Sequence, residues 1–256
     1  MEGGCQMKIS FAKKHFIGIA SVVTMLLIWK IMAIYFDSSI IVPHPEDTLI
    51  TVIKLMSNAG FLKIASATII RGLVGFIISA ILGIAIGILA GINTEFNSFI
   101  SPILVTIRSI PVIALILLAL IWFNSGTVPI FIAMLTMFPF ICTNVVEGIR
   151  SVDQDLIEMA RFYRISKQKI IFEVYIPAII PFIISGTSSA MGIGWRAIII
   201  GEVLSQPRYG IGTSMQSAQI FLNVEAVIAW TLIAVMISSV FEKIIRWCEV
   251  KMVTWK

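Results

Sequence analysis

The chain has 256 residues, 58% of them hydrophobic and 13% charged, with a formal net charge of +5 and a mean hydropathy of +1.00. Soluble domains carry roughly a quarter charged residues, whereas apolar blocks of about twenty residues can cross a ~30 Å hydrocarbon core as helix. A soluble globular domain is therefore excluded. Continuous apolar runs rather than short alternation also exclude a transmembrane β-barrel, and the fold class is an all-α polytopic membrane protein.

Lys8, Lys13 and Lys14 precede an apolar run over 16–36. No small-residue cleavage site follows, so the run reads as a retained first span behind a tail over 1–15. Further spans are expected over 66–91, 99–123, 128–147, 178–203 and 224–245, giving about six within a membrane domain of 16–247 and a tail over 248–256. Arg108 and Pro111 interrupt the third span, which reads as one span or as two shorter helices. Between the first two spans, "VPHPEDTLITVIKLMSNAGFLK" places Leu49, Ile50, Ile53 and Met56 at the spacing of a helix lying along the membrane surface.

The second span aligns Gly72, Gly75, Ser79, Gly83, Gly87 and Gly91 in a stripe of small residues. Such a stripe lets a neighbouring helix approach closely. Packing inside one subunit is preferred over a dimer seam. Lysine and arginine set the orientation. With Lys243 counted to the tail it borders, twelve fall on the side of the N-terminus and three (Lys54, Lys63, Arg208) on the other. The positive-inside rule then places both termini in the cytoplasm.

The cytoplasmic segment over 150–177 is polar. Ser151 and Gln154 have capping-box spacing, and Leu156, Ile157, Ala160 and Tyr163 form one helix face. Ser166 is placed to cap a second short helix with Ile170, Ile171 and Val174 on its buried side. Pro177 is expected to end or redirect that helix.

This stretch resembles the cytoplasmic "EAA" loop of permease subunits of bacterial ABC importers: Glu-Ala-Ala, three residues, Gly, nine residues, then Ile-x-Leu-Pro. Glu158, Ala160 and Pro177 match, and Val174 and Ile176 are conservative replacements. Met159 replaces the first Ala, and Arg164 stands where Gly is expected. A glycine there permits a left-handed turn that costs another residue about 1–2 kcal/mol. Either the turn is built differently or Arg164 makes a contact of its own. "IIVPHPEDTL", "RSIPVIALILLALIWFNSG" and "AMGIGWRAIIIGEVLSQPRYGIG" resemble the nitrate, sulfonate and taurine permease branch, so the likeness covers about 40–250.

The resemblance implies a type I importer permease fold and ATPase-coupling roles for Glu158, Met159, Ala160, Tyr163, Arg164 and Pro177. It further implies two ATP-binding subunits, a second permease copy (a homodimer, with a heterodimer as the alternative) and an extracytoplasmic solute-binding protein. ATP and Mg would sit on the partner ATPase, and this chain binds no cofactor. The bacterial cytoplasmic membrane is the implied location.

Ionisable residues within spans are costly and mark functional candidates. Arg108, Pro111, Ser188, Arg196 and Glu202 are therefore the expected translocation-path residues, with Gly192 and Gly194 loosening the fifth span into a broken helix. Arg196 and Glu202 in a packed polar network is the competing reading. Arg71, near a span end, reads as a snorkelling side chain. Three arginines against one acid tilt the path toward anionic solutes such as sulfonate, taurine or nitrate, with vitamin precursors as the other class.

Trp122, Trp195 and Trp230 read as interface or packing aromatics. Both histidines, His15 and His44, lie outside the spans, so no intramembrane Ser-His hydrolase is assembled. No metal cluster and no Gly-Lys-Ser/Thr phosphate loop occurs, so the chain reads as non-catalytic. A secondary transporter is the rival, but only Glu202 is a clear intramembrane acid and no inverted repeat is evident.

Overall fold

The computed structural model describes residues 11–252, and every element found there is helical. Long apolar runs leave no alternative in lipid, because only helices and closed barrels satisfy their own backbone groups. The elements are α1 (Phe11–Phe36), α2 (Pro45–Ser57), α3 (Phe61–Ile92), α4 (Thr94–Ser109), α5 (Val112–Trp122), α6 (Val128–Arg150), α7 (Gln154–Phe162), α8 (Lys167–Ile170), α9 (Ile176–Ser205), α10 (Ile211–Ile220) and α11 (Val224–Met252). A π-helical turn over Ile171–Tyr175 joins α8 to α9. Of the expected tails, 1–10 and 253–256 lie outside the described residues. Within those described, helix begins already at Phe11 and runs on to Met252.

Helix α6 is the hub and packs along α3 on one side and α9 on the other. Small residues set both seams. A Cβ on Gly75 would stand 2.8 Å from that of Ala133, one on Gly83 2.9 Å from that of Ile141, and one on Gly87 2.7 Å from that of Val145. The stripe on α3 is thus spent on packing inside the chain. On the other seam Gly148 faces Phe182, Gly186 faces Asn144 and Gly194 faces Met137. Gly194 therefore serves close approach to α6, and α9 runs unbroken from Ile176 to Ser205, contrary to the expected break. The shared core gathers Met137, Ile141, Val145, Trp195, Ile198, Ile211 and Trp230. Trp230 stacks on Phe61 and Trp195 tilts against Phe241, while Trp122 is exposed.

Among the described residues five helices are long and apolar enough to span a membrane, and the expected third span resolves into α4 and α5 bent by 98°. The bend falls at Ile110 and Pro111. Proline withholds an N–H and disfavours helix in the residue before it. Ile110 is accordingly extended, at φ −72° and ψ 129°.

Helix α2 buries Pro45, Thr48 and Val52 and packs on α11. Thr51 donates to Glu225. Leu49, Ile50, Ile53 and Met56 face outward, as befits a helix with protein on one side and lipid on the other. Lys30 reaches Glu46 at 2.7 Å, which holds the Glu46 carboxyl below the usual carboxylate range. Helix α1 touches the rest of the chain chiefly at α2 and exposes nearly all of its apolar surface.

Candidate functional site: a helical loop and a buried polar knot

Two features stand out at opposite ends of α9. The first is the loop between α6 and α9. Asp153, not Ser151, caps α7, since its carboxylate accepts from Asp155 N at 2.9 Å. Ser151 instead closes α6, and its hydroxyl donates to Gly148 O. Ser166 does cap the next helix, accepting from Lys169 N at 3.4 Å. Ile157 and Ala160 are buried, whereas Leu156, Met159, Phe162 and Tyr163 are 47%, 52%, 83% and 71% exposed. The apolar face expected from spacing is therefore split. Half of it packs inward, and the rest forms an outward patch beside the exposed Glu158.

Arg164 occupies the left-handed region at φ +54°. Ile165 N donates to Ala160 O and Tyr163 N to Met159 O, each at 3.0 Å. The longer bond is the six-residue closure of a Schellman turn, in which the residue at the Arg164 position is usually glycine. The turn that glycine would make is thus made by arginine, with no need for a different construction.

Pro177 does not end a helix. The π-turn places Ile176 N on Ile171 O, shifting the bonding register ahead of the residue that lacks an N–H. Helix continues through Pro177 into α9, so the loop is joined rigidly to a core helix.

The second feature is Glu202, fully buried near the other end of α9. Thr68 Oγ1 lies 2.9 Å from both carboxylate oxygens, Arg71 Nη1 donates at 2.6 Å and Gly212 N at 2.9 Å. Thr68 Oγ1 also accepts from Ile211 N at 2.8 Å, and Arg71 donates to Tyr209 O at 2.7 Å. Gly210, at the N-cap of α10, has no capping side chain. The carboxylate of another helix takes that place, where a helix N-terminus favours negative charge. A Cβ at Gly210 would stand 2.6 Å from the Glu202 Cδ.

This arrangement corrects two expectations. Arg71 does not snorkel, because Glu202 draws it inward to 14% side-chain exposure. Glu202 is not joined to Arg196, which is exposed on a different face of α9. Six residues turn a helix through about 240°, so the two side chains diverge. Thr68, Gly210 and Gly212 are partners that the sequence reading does not single out, and Arg71 is one it assigns to the membrane surface instead. Their signal was the Gly-x-Gly following Pro207, together with Thr68 and Arg71 three apart on one face.

The remaining expected residues scatter. Arg108 stacks over the Phe140 ring, 5.8 Å from its centroid. Pro111 sits exposed in the bend. Ser188 lines a separate polar cavity between α9 and α11 with Ser189, Ser238 and Glu242. Among the described residues no group of three metal-ligating side chains converges.

A hub helix clasped through glycines, a broken span and a rigid helical loop describe a multi-pass helical membrane protein. Residues 83–253 match the family described as "binding-protein-dependent transport system inner membrane component", and the chain belongs to it. A Bacillus subtilis permease protein named for aliphatic sulfonates transport is 28% identical over 234 residues, covering 90% of this chain and 84% of the relative. The bicarbonate transport system permease protein of Synechococcus elongatus is 37% identical over 147 residues, covering 57% and 53% of the two chains. A chain of the MetNI methionine ABC transporter, solved in an inward-facing conformation, superposes with a TM-score of 0.57 at 16% identity, covering 70% of this chain and 92% of that one. The chain is an ABC transporter permease subunit, and a secondary transporter is not favoured.

Proposed function

We propose that the chain is the membrane half of an ATP-driven importer for a small anion, coupled through α7 to an ATP-binding subunit on its cytoplasmic side. The observation that carries this reading is the outward apolar patch of Leu156, Met159, Phe162 and Tyr163 on a helix joined to the core by a Schellman turn and a π-turn. Exposed apolar clusters mark partner surfaces. A partner moves the spans only if it grips their alternative arrangements differently. Glu158, Met159 and Tyr163 supply contacts, Ala160 and Arg164 shape the turn, and Pro177 transmits its motion to α9.

ATP and Mg belong to the partner, two copies of which sit beneath a homodimer of this chain, with both termini on the same cytoplasmic side. A solute-binding protein delivers from above. The path runs past Arg108, Pro111, Ser188 and Arg196, while Glu202 ties its walls together. Relatives named for sulfonates and bicarbonate support an anionic cargo.

Ala160 is buried, so the position to crosslink is Met159. A cysteine there, in a chain otherwise free of cysteine, is expected to crosslink to the co-expressed ATP-binding subunit. Uptake is expected to stop when that subunit's phosphate-binding lysine is replaced. Absence of the crosslink together with uptake that survives the ATPase lesion refutes the reading.

A further inference from the structure

Helices α4 and α6 run side by side and enclose a cleft of ≈ 180 Å³. Its polar lining is Asn97, Ser101 and Arg108 from α4 and Thr143, Glu147 and Arg150 from α6. These positions recur at helical spacing, so each helix presents a polar stripe to the cleft. Among the described residues, the side chains of Asn97, Ser101, Glu147 and Arg150 have no hydrogen bond or ion pair, and Arg108 has only its stacking on Phe140. Thr143 donates to Pro139 O, which leaves its oxygen lone pairs to the cleft.

Ser101, Arg108, Glu147 and Arg150 are exposed and Asn97 and Thr143 half-buried, so the cleft is open on one side, and unpaired charges are costly wherever such a face meets hydrocarbon. The cleft therefore holds water or a ligand. Its charges decide which ligand. Two guanidiniums face one carboxylate, and Asn97 and Ser101 add donors, so the cleft is net positive and rich in donors. Guanidinium is the side chain best matched to planar and tetrahedral oxyanions. The volume lies below the ~300–1,000 Å³ of pockets for drug-sized ligands, so the occupant is small.

We propose that the α4–α6 cleft is a water-filled site for a small soluble oxyanion of the carboxylate, bicarbonate or sulfonate kind. Arg108 and Arg150 bracket it. Phe140, which Arg108 covers, precedes Arg150 by ten residues, or about 15 Å of helix rise. Glu147, a turn from Arg150, adds a like charge that keeps the anion from being held permanently, as a conducting site requires. The proposal rests on the reading that α4 lines the solute path, and it places the cargo's charge on a face of α4 and α6 that Ser188 and Arg196 do not share.

The test uses the full chain in phosphatidylcholine nanodiscs, with Cys5, Cys142 and Cys248 replaced and Ser101→Cys introduced. The probes are two methanethiosulfonate reagents of like size, one carrying an ethylsulfonate and one an ethyltrimethylammonium group. The sulfonate reagent is expected to react faster, with a rate ratio on the order of tenfold above that for a free thiol in solution. Methanesulfonate should slow it. Phe99→Cys, on the outward side of the same helix at 67% exposure, should stay unmodified.

Arg108→Gln should bring the ratio toward the free-thiol value and Arg108→Lys should preserve it, each checked for monodisperse elution. Ser101→Cys as inert as Phe99→Cys, or faster modification by the cation, overturns the proposal. Protection that needs phosphatidylglycerol and ignores methanesulfonate also overturns it, since the occupant is then a lipid headgroup. No ATPase takes part, so failure here is distinct from failure of the crosslink at Met159.

Discussion

At one end of α9 a carboxylate is sealed from solvent and meets a donor on every side. At the other end a short helix turns aromatic and aliphatic side chains outward, and none of the described residues covers them. Glu202 spends its charge on Thr68, Arg71 and the N-terminus of α10, whereas Met159, Phe162 and Tyr163 are held out by backbone turns. The contrast separates two kinds of anomaly in an apolar chain. A buried charge with all its partners is architecture, because removing it leaves an uncompensated ion. An exposed apolar face without a partner is an invitation to one.

The largest effect that would break this contrast is at the knot. Glu202→Ala leaves the largely buried Arg71 without its counter-ion and unsatisfies the amide of Gly212. A loss of about 3–5 kcal/mol is expected, read as a fall in melting temperature and in monodisperse protein in detergent. Arg71→Met combined with Glu202→Gln should be milder than Glu202→Ala alone, since no bare charge remains. A Glu202→Ala variant that melts with the parent would show that the knot is not what ties α3, α9 and α10 together.

Next comes the α3–α6 seam. Gly87→Val drives a side chain into Val145, where a Cβ alone would already sit 2.7 Å away. Overpacking of this kind costs about 1–3 kcal/mol, with the same melting readout. Gly192→Ala is the control, since nothing lies within 4 Å of its added carbon; helix propensity alone should leave its melting point the same or slightly raised, never lowered.

At the α7 end the expected pattern inverts. Phe162→Asp, at a fully outward position, should shift stability by no more than about 0.5 kcal/mol yet abolish co-purification of the ATP-binding subunit. Melting and pull-down measured on one preparation check both halves. A variant that retains the partner removes the patch from the interface.

How much of this was legible in the sequence follows from the range of each interaction. Spans, the small-residue stripe and the short helices of the loop are local or periodic signals, and the stripe on α3 meets α6 much as its spacing implied. The caps were half legible. Ser166 was identified, but Asp153 was passed over in favour of Ser151, because capping-box spacing does not say where the preceding helix stops. The knot was not legible. Arg71 and Glu202 are 131 positions apart, and without the fold the nearer pairing of Arg196 with Glu202 was the one in view. The bend at Pro111 was readable only as a choice between one helix and two, since proline licenses a break without setting its angle.

The smallest effect concerns Arg164, where the departure from the family pattern and the backbone meet. Its φ of +54° is a conformation that a side-chain-bearing residue enters at a cost of about 1–2 kcal/mol, a cost glycine escapes. Glycine also carries more freedom in the unfolded chain, which returns part of the gain. Arg164→Gly should therefore stabilise the α7–α8 turn by about 1 kcal/mol or less. The readout is the rate of limited proteolysis between Phe162 and Lys169, expected to fall severalfold while the global melting point barely moves. If coupling to the ATP-binding subunit is unchanged in that variant, arginine at this position serves only as a tolerated substitute for glycine. If coupling drops while the turn grows more stable, the exposed guanidinium is itself a contact, and the strain is retained for the sake of the partner.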